Sequence, residues 1–280
     1  MNPDCTLVIA VYNRPAYLRF ILAACARQSH ANFEIIIADD GSGPEIRDVV
    51  EEGRTRHALA IQHLWHEDRG WRKNMMLNNA IRAARSDYLV FTDGDCLPHR
   101  HFIADHLAER AAARYLCGRR VETSARWTAA LRLDDVLHGR FERLGPRLWW
   151  DGLTGRARRV EDGLRFESPR LRNILHGSGR GVLGSNFSVS RKALRAVNGF
   201  DEEYDGPGCG EDSDIELRLR LLGLAPHSLR HRAIQFHLHH PVTRVPQRCL
   251  DRFESLRRAP RLRCRRGLEH IDEPIAQDHE

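Results

Sequence analysis

Two carboxylates stand one residue apart at Asp93-Gly94-Asp95, directly after the apolar run Tyr88-Leu89-Val90-Phe91-Thr92. A strand aims alternate side chains at one face, so carboxylates at i and i+2 where a strand frays into a loop converge on one point. Hard divalent cations such as Mg²⁺ and Mn²⁺ take oxygen ligands of this kind and keep positions open for substrate phosphates. The glycine between them lets the backbone approach a ligand closely. Taken alone, the triplet reads as well as a solvated acidic turn. Late in the chain His237, His239 and His240 precede Pro241. On a strand His237 and His239 share a face and reach one metal, and imidazole biases a site from Mg²⁺ toward Mn²⁺. Chance clustering is the competing explanation in a chain with 16 histidines.

The elements that must position these groups alternate between strand and helix. Thr6 to Val11 reads as a buried strand, and Pro15 opens a helix over 16–28. A second strand over 33–38 runs into the turn Asp39-Asp40-Gly41-Ser42-Gly43. A helix over 45–53, a strand over 60–65, a helix over 71–85 and a strand over 88–92 follow. Strands separated by helices and short loops predict an α/β fold, a mainly parallel central sheet flanked by helices. Ligands of such sheets sit beyond the carboxyl ends of the strands. Those ends carry Tyr12-Asn13, Asp39-Asp40, the 67–72 loop and Asp93-Gly94-Asp95, all polar and all expected on one rim. The stretch 119–180 reads as irregular, with Trp127, Trp149 and Trp150 in no clear period. A strand over 184–189, a helix over 191–197, a glycine-rich loop over 206–210 and a helix over 214–222 capped by Asp212 or Ser213 complete the pattern.

A chain of 280 residues with a net charge of +6 buries a sizeable core, and its composition is that of a globular protein. The strand runs are too short to span a bilayer, and Asp4 precedes any hydrophobic run, so no secretory signal is expected. Seven scattered cysteines without a C-x-x-C pair point to reduced thiols in a cytoplasmic compartment. Nine arginines lie between Arg244 and Arg266, against Asp251 and Glu254 alone. This run is either a solvated helix or a surface for an anionic membrane leaflet at its inner face. Stacking aromatics are scarce there, which argues against nucleic acid.

The series V-I-A-V-Y-N-R (8–14), I-I-I-A-D-D-G-S (35–42), R-G-W-R-K-N (69–74), F-T-D-G-D-C-L-P (91–98), G-S-N-F-S-V-S-R (184–191), N-G-F-D-E (198–202), G-E-D-S-D-I-E-L-R (210–218) and H-L-H-H-P (237–241) closely resembles the family-two inverting glycosyltransferases. These have the GT-A-type nucleotide-diphospho-sugar transferase fold. The later motifs also resemble the galactosyltransferase carboxyl-terminal segment. The resemblance covers residues 5–242, with 119–180 unmatched. It implies a metal-dependent enzyme that moves a sugar from a nucleotide-sugar donor, a UDP-sugar, to a glycan or lipid-linked acceptor. Asp95 would bind Mn²⁺ or Mg²⁺ with His237 or His239, and Asp93 and Gly94 would contact the donor. Ala10, Tyr12, Asn13 and Asp39 resemble the positions that hold base and ribose, and Arg72 or Arg69 would pair with phosphate. Asp212 would be the general base, although a carboxylate there also serves as a helix cap. Glu211 would bind a sugar, Asn186 would lie at the acceptor side, and Asp214 would cap the helix or pair with Arg218. The glycine-rich loop lacks the tryptophan of the galactosyltransferase pattern, so an acceptor-stacking platform is either missing or supplied by Trp149 or Trp150, and galactose specificity does not carry over.

The resulting domain plan is a catalytic domain over 1–242 and a basic tail over 243–280. Within the former, 1–105 is the nucleotide-binding half, 119–180 an insertion or lid and 181–242 the acceptor and catalytic half. A rival reading makes Asp93 a phosphorylated nucleophile and Asp95 its acid/base in a phosphohydrolase. That class wants threonine or valine where Leu97 stands.

Overall fold

The first strands are apolar on both sides, and a strand with no polar face must be covered on both. In the computed structural model, which describes residues 2–168, 170, 172, 181–208, 210–241, 247–270 and 276–277, β1 (Cys5–Val11), β2 (Phe33–Asp39), β3 (Ile61–Trp65) and β4 (Tyr88–Asp93) pair in parallel in the order β3-β2-β1-β4. Leu7, Ile9, Ile35 and Ile37 enter one core with Leu18 and Ile46 of the helices Pro15–Cys25 and Glu45–His57. Their neighbours Val8, Ala10, Ile36 and Ala38 enter the other, with Met76 and Ile81 of the helix Lys73–Ala83. Each Leu, Ile, Val or Met side chain among them, fully buried, contributes roughly 1.5–3 kcal/mol. The mainly parallel α/β sheet expected from the sequence is thus present.

Beyond β4 the chain forms β5 (Cys96–Pro98), β6 (Arg114–Cys117), β7 (Val121–Glu122), β8 (Phe187–Ser190), β9 (Ala225–Ser228), β10 (Gln235–His237) and β11 (Ala276–Gln277). Among the described residues the main sheet runs β11-β3-β2-β1-β4-β8-β6-β9, with β8 antiparallel to β4 and β6, and β11 antiparallel to β3. Phe91 and Phe187 stack at 4.6 Å across the β4–β8 junction, with Phe200 edge-on to Phe91 at 5.5 Å. A second sheet, β5-β10-β7, places His237 opposite both Cys96 and Glu122.

Three expectations change here. Residues 125–153 hold short helices, Ala125–Ala130, Leu133–Leu137 and Pro146–Leu153, so the stretch is more regular than its sequence suggests. Segments of five to eight residues are too short to display a 3.6-residue period, and caps define them instead: Ser124 Oγ accepts the Trp127 N–H at 3.0 Å. Residues 169, 171 and 173–180 of that stretch, Cys209 of the glycine-rich loop and 242–246 lie outside the described residues. The arginine-rich segment is not wholly solvated: its helix Gln247–Arg258 packs on the helix Glu211–Leu221, and just beyond it Arg82 donates to the carbonyls of Gly267, Leu268 and His270. Cys5, Cys25, Cys96, Cys117 and Cys264 are free, but Cys249 is disulfide-bonded, against the expectation of reduced thiols throughout. No helix among the described residues is long and apolar enough to cross a membrane.

Candidate active site

Beside β1 the sheet order reverses: β2 lies on one side and β4, much later in the chain, on the other. The loops after β1 and β4 part at such a point and leave a crevice at the carboxyl ends. A cleft of about 390 Å³ occupies it, lined by Ala10, Tyr12, Asn13, Asp93, Gly94 and Asp95 as the sequence predicts. Asn13 and Arg14 follow β1 with φ of 55° and 60°. Left-handed backbone at such residues costs roughly 1–2 kcal/mol each. Two hydrogen bonds hold the turn: Asn13 N–H donates to Ser42 Oγ at 2.7 Å, and Gly43 N–H to Asn13 Oδ1 at 3.2 Å. Gly94 N–H donates to the Ala10 carbonyl at 2.7 Å, and a Cβ at Gly94 would sit 3.1 Å from Val11 Cγ2. The β4 loop therefore lies tight against β1.

Asp95 sits among cations and imidazoles. Arg14 Nη1 lies 3.1 Å and His240 Nε2 3.0 Å from its Oδ2, and His237 Nε2 lies 3.6 Å from its Oδ1. The two Nε2 atoms are 3.1 Å apart. Burial opposes ionisation of Asp95, but the His240 hydrogen bond and the charges of His237, His240 and Arg120 outweigh it and hold the carboxyl well below its usual range. Asp95 in turn raises His240. Ligands 2.1 Å from an ion stand roughly 3.0 Å apart in an octahedron and 3.4 Å in a tetrahedron. Asp95, His237 and His240 thus fit a divalent ion. Cys96 Sγ is also near, within 4.8 Å of donors on Asp95 and His237. Burial pushes its thiol well up, and it donates to Asp95 Oδ1 at 3.4 Å.

Lys73 Nζ bonds Asp93 Oδ1 at 2.7 Å in the cleft. Burial opposes its charge, while Asp93, Asp212 and Glu211 raise it above the ordinary lysine range. Glu211 and Asp212 do not line the cleft; they stand behind Lys73 at the start of their helix. Asp212 Oδ2 accepts the Gly184 N–H at 2.7 Å, and a Cβ at Gly184 would fall 2.2 Å from Oδ1. Only glycine brings that amide so close. Burial and then Asp212 push Glu211 up to about 7, and burial raises Asp212 too, with Lys73 opposing both. Glu211 Oε2 is buried with no hydrogen-bond partner.

Several expected residues fall elsewhere. His239 is exposed; its backbone is pinned by Thr128 Oγ1 at 2.9 Å and by the Tyr17 hydroxyl at 2.8 Å. Because β10 ends at His237, the alternation fails beyond it, and His240 reaches Asp95 in place of His239. Asp39 still belongs to β2, follows Ile35 and Ile37 inward, and accepts from Ser42 N–H while bonding His63 Nε2 at 2.9 Å. Asp40 lines the cleft instead. Arg72 donates to the Glu67 carbonyl and borders a neighbouring hollow with Arg69; Lys73 and Arg14 are the cations that line the cleft. Asn186 is fully buried, donating to the carbonyls of Arg119 and Ala233 at 2.7 and 2.8 Å, so it supports the strand rather than facing an acceptor. Gly210, with φ of 87°, is the N-cap, leaving Glu211 and Asp212 in the first turn, and Asp214 pairs with Arg218 as expected. Trp71 lines the cleft, whereas Trp149 and Trp150 lie on the exposed surface. Lys73 had one sequence signal: it is one of only two lysines, inside the motif 69–74. Trp71 lies in the same motif, and Asp68, from the polar loop after β3, had no signal beyond its place on the rim.

A family model described as glycosyl transferase family 2 matches residues 6–197, and one described as the N-terminal domain of galactosyltransferase matches 173–241. Validoxylamine A glucosyltransferase of Streptomyces hygroscopicus subsp. jinggangensis is 29% identical over 257 residues, which cover 82% of this chain and 57% of that protein. Chondroitin synthase of Escherichia coli is 26% identical over 220 residues, covering 76% of this chain and 32% of that protein. The chain spans about half the length, or less, of these curated relatives. Among solved structures, mannosyltransferase PcManGT from Pyrobaculum calidifontis in complex with GDP-Man and Mn²⁺ superposes with a TM-score of 0.56 at 18% identity, over 85% of this chain and 57% of that one. S. aureus TarS 1–349 in complex with UDP-GlcNAc gives 0.55 at 16% identity, over 87% and 60%. The fold is that of the GT-A-type glycosyltransferases.

Proposed function

The chain belongs to glycosyl transferase family 2, and from that premise we propose that it moves a sugar from a UDP-sugar to a hydroxyl of a glycan or lipid-linked acceptor. A divalent ion, Mn²⁺ in preference to Mg²⁺, is held by Asp95, His237 and His240. The observation that carries this reading is the convergence of those three side chains beside the cleft that Asp95, His240, Lys73 and Asp93 line, with Glu211 and Asp212 near enough to act on Lys73. A nucleotide-sugar fits the division of the cleft. The exposed Tyr12 ring, whose hydroxyl donates to Asp68 at 2.9 Å, offers a face for the base. The acidic end offers the diphosphate a metal. The relatives solved with GDP-Man and UDP-GlcNAc support the donor class. The rival phosphohydrolase reading finds no support in any of these comparisons.

Asp212 acts as the base, with one carboxylate oxygen held by Gly184 N–H. As the acceptor oxygen bonds the anomeric carbon, its proton passes to Asp212. The opposite bond to the diphosphate breaks with its electron pair, and the configuration inverts. A bound divalent ion supplies the positive charge that the departing nucleoside diphosphate needs. Lys73 balances Asp93 and the Glu211-Asp212 pair across the cleft. The unpartnered Glu211 Oε2 is an acceptor for a sugar hydroxyl.

A thermal-shift panel of nucleotide-sugars with and without Mn²⁺ tests the donor. A specific donor at about 100 Kd stabilises the protein by ~2.7 kcal/mol. No stabilisation by any uridine nucleotide, together with retained transfer in folded Asp95→Ala and Asp212→Asn variants, would end this reading.

A further inference from the structure

We infer that Glu122, outside every motif, is a positioning residue that decides which nitrogen of His237 faces the metal centre; this rests on the reading of Asp95, His237 and His240 as ligands. The register of β7 against β10 sets Glu122 beside His237, and Glu122 Oε2 lies 2.5 Å from His237 Nδ1. The other oxygen, Oε1, accepts from Arg120 Nε at 2.8 Å, and Arg120 Nη1 is anchored to Ser185 Oγ at 3.1 Å. An ionised carboxylate only accepts hydrogen bonds, so His237 must carry its proton on Nδ1. The lone pair of the neutral ring is then left on Nε2, the atom 3.6 Å from Asp95 Oδ1 and 3.1 Å from His240 Nε2. His240 has Nδ1 bonded to the Pro241 carbonyl at 2.8 Å, so a bound ion would take the place of the proton through which its Nε2 bonds Asp95. Both rings therefore present Nε2 to the same point as Asp95. With both oxygens engaged, Glu122 is held away from the ion and serves as the outer partner that fixes ring orientation and strengthens the ligand.

The test is Mn²⁺ binding followed by the electron paramagnetic resonance of the free ion, in the wild type and in Glu122→Ala, Glu122→Gln and Asp95→Ala. Glu122→Ala is expected to weaken Mn²⁺ binding about ten- to a hundredfold. Glu122→Gln, whose carbonyl still accepts the Nδ1 proton, should lose roughly threefold or less. Side-chain ¹⁵N shifts at pH 8 should show His237 protonated on Nδ1 in the wild type and in Glu122→Gln, and mixed tautomers in Glu122→Ala. Unchanged affinity in Glu122→Ala, with binding lost in Asp95→Ala, overturns the inference and leaves the metal reading standing. Retained binding in Asp95→Ala defeats the metal reading, and this inference with it. Should Glu122→Ala not fold, the wild-type spectrum decides, since a proton on Nε2 of His237 is incompatible with the role.

Discussion

The two acidic clusters of this protein are built on opposite electrostatic terms. Around Asp95 every charge has a counterpart: Arg14, His237 and His240 for the carboxylate, Glu122 for the imidazole, Arg120 for Glu122. Asp95 is pulled below the usual carboxylate range, and Glu122 is lowered to about 2 as its His237 hydrogen bond and Arg120 overcome burial. Around Glu211 and Asp212 two carboxylates share Lys73, with Arg120 lowering Asp212 as well, and burial raises both. The first cluster is suited to stay ionised and bind; the second is suited to accept and release a proton near neutrality. Neighbouring carboxylates thus divide the work through environment alone.

The largest effects should separate these roles. Asp212→Asn is expected to lower transfer about 10²- to 10⁴-fold while UDP affinity in Mn²⁺ stays unchanged, and Asp95→Ala to lose both. Equal donor affinity in the two variants, measured by calorimetry, would erase the distinction. Removing metal with a chelator should reproduce the Asp95→Ala loss of donor binding and leave folding intact.

Next in size, Lys73→Met removes the cation that bonds Asp93 and faces the Glu211-Asp212 pair. Transfer at pH 7 should fall roughly ten- to a hundredfold. Because Lys73 lowers Glu211 and Asp212, the acidic limb of the rate profile should move to higher pH. A limb that stays put would show that the pair does not feel Lys73.

A smaller effect concerns stability. Glu211 is raised from 4.5 to about 7 in the folded protein. The folded state therefore favours its neutral form, and the associated stability, fully present below pH 4.5, is lost as pH rises through about 7. Glu211→Gln should gain about 1–3 kcal/mol over the wild type at pH 8 and nothing at pH 4, read from urea unfolding at the two values. It should lose transfer at the same time. The smallest effect is expected of His239→Ala, which should leave Mn²⁺ affinity within about twofold, where His240→Ala loses tenfold or more.

Much of the architecture is legible in the residues. The runs at 6–11, 33–38 and 88–92 are apolar on consecutive positions, which only a doubly covered strand explains, and their polar ends mark the rim. The shorter pieces were hidden because a helix such as Leu133–Leu137 shows barely one turn of its pattern. At the site, Tyr12, Asn13, Asp93 and Asp95 lie where strand ends put them. Asp39 and His239 do not, because the residues themselves do not mark where β2 and β10 end. Asp39 is still in β2 and points inward, and His239 has already left β10.

By itself the sequence determined the alternating α/β order, the family and the acidic segment at the end of β4, because these follow from local periodicity and contiguous motifs. The tertiary structure alone decided which imidazole meets Asp95, that Lys73 links the two acidic pairs, and that Glu122 backs His237. These contacts join residues up to 145 positions apart, as Asp95 and His240 show. Their partners are chosen by strand register and sheet order, and no local pattern encodes either.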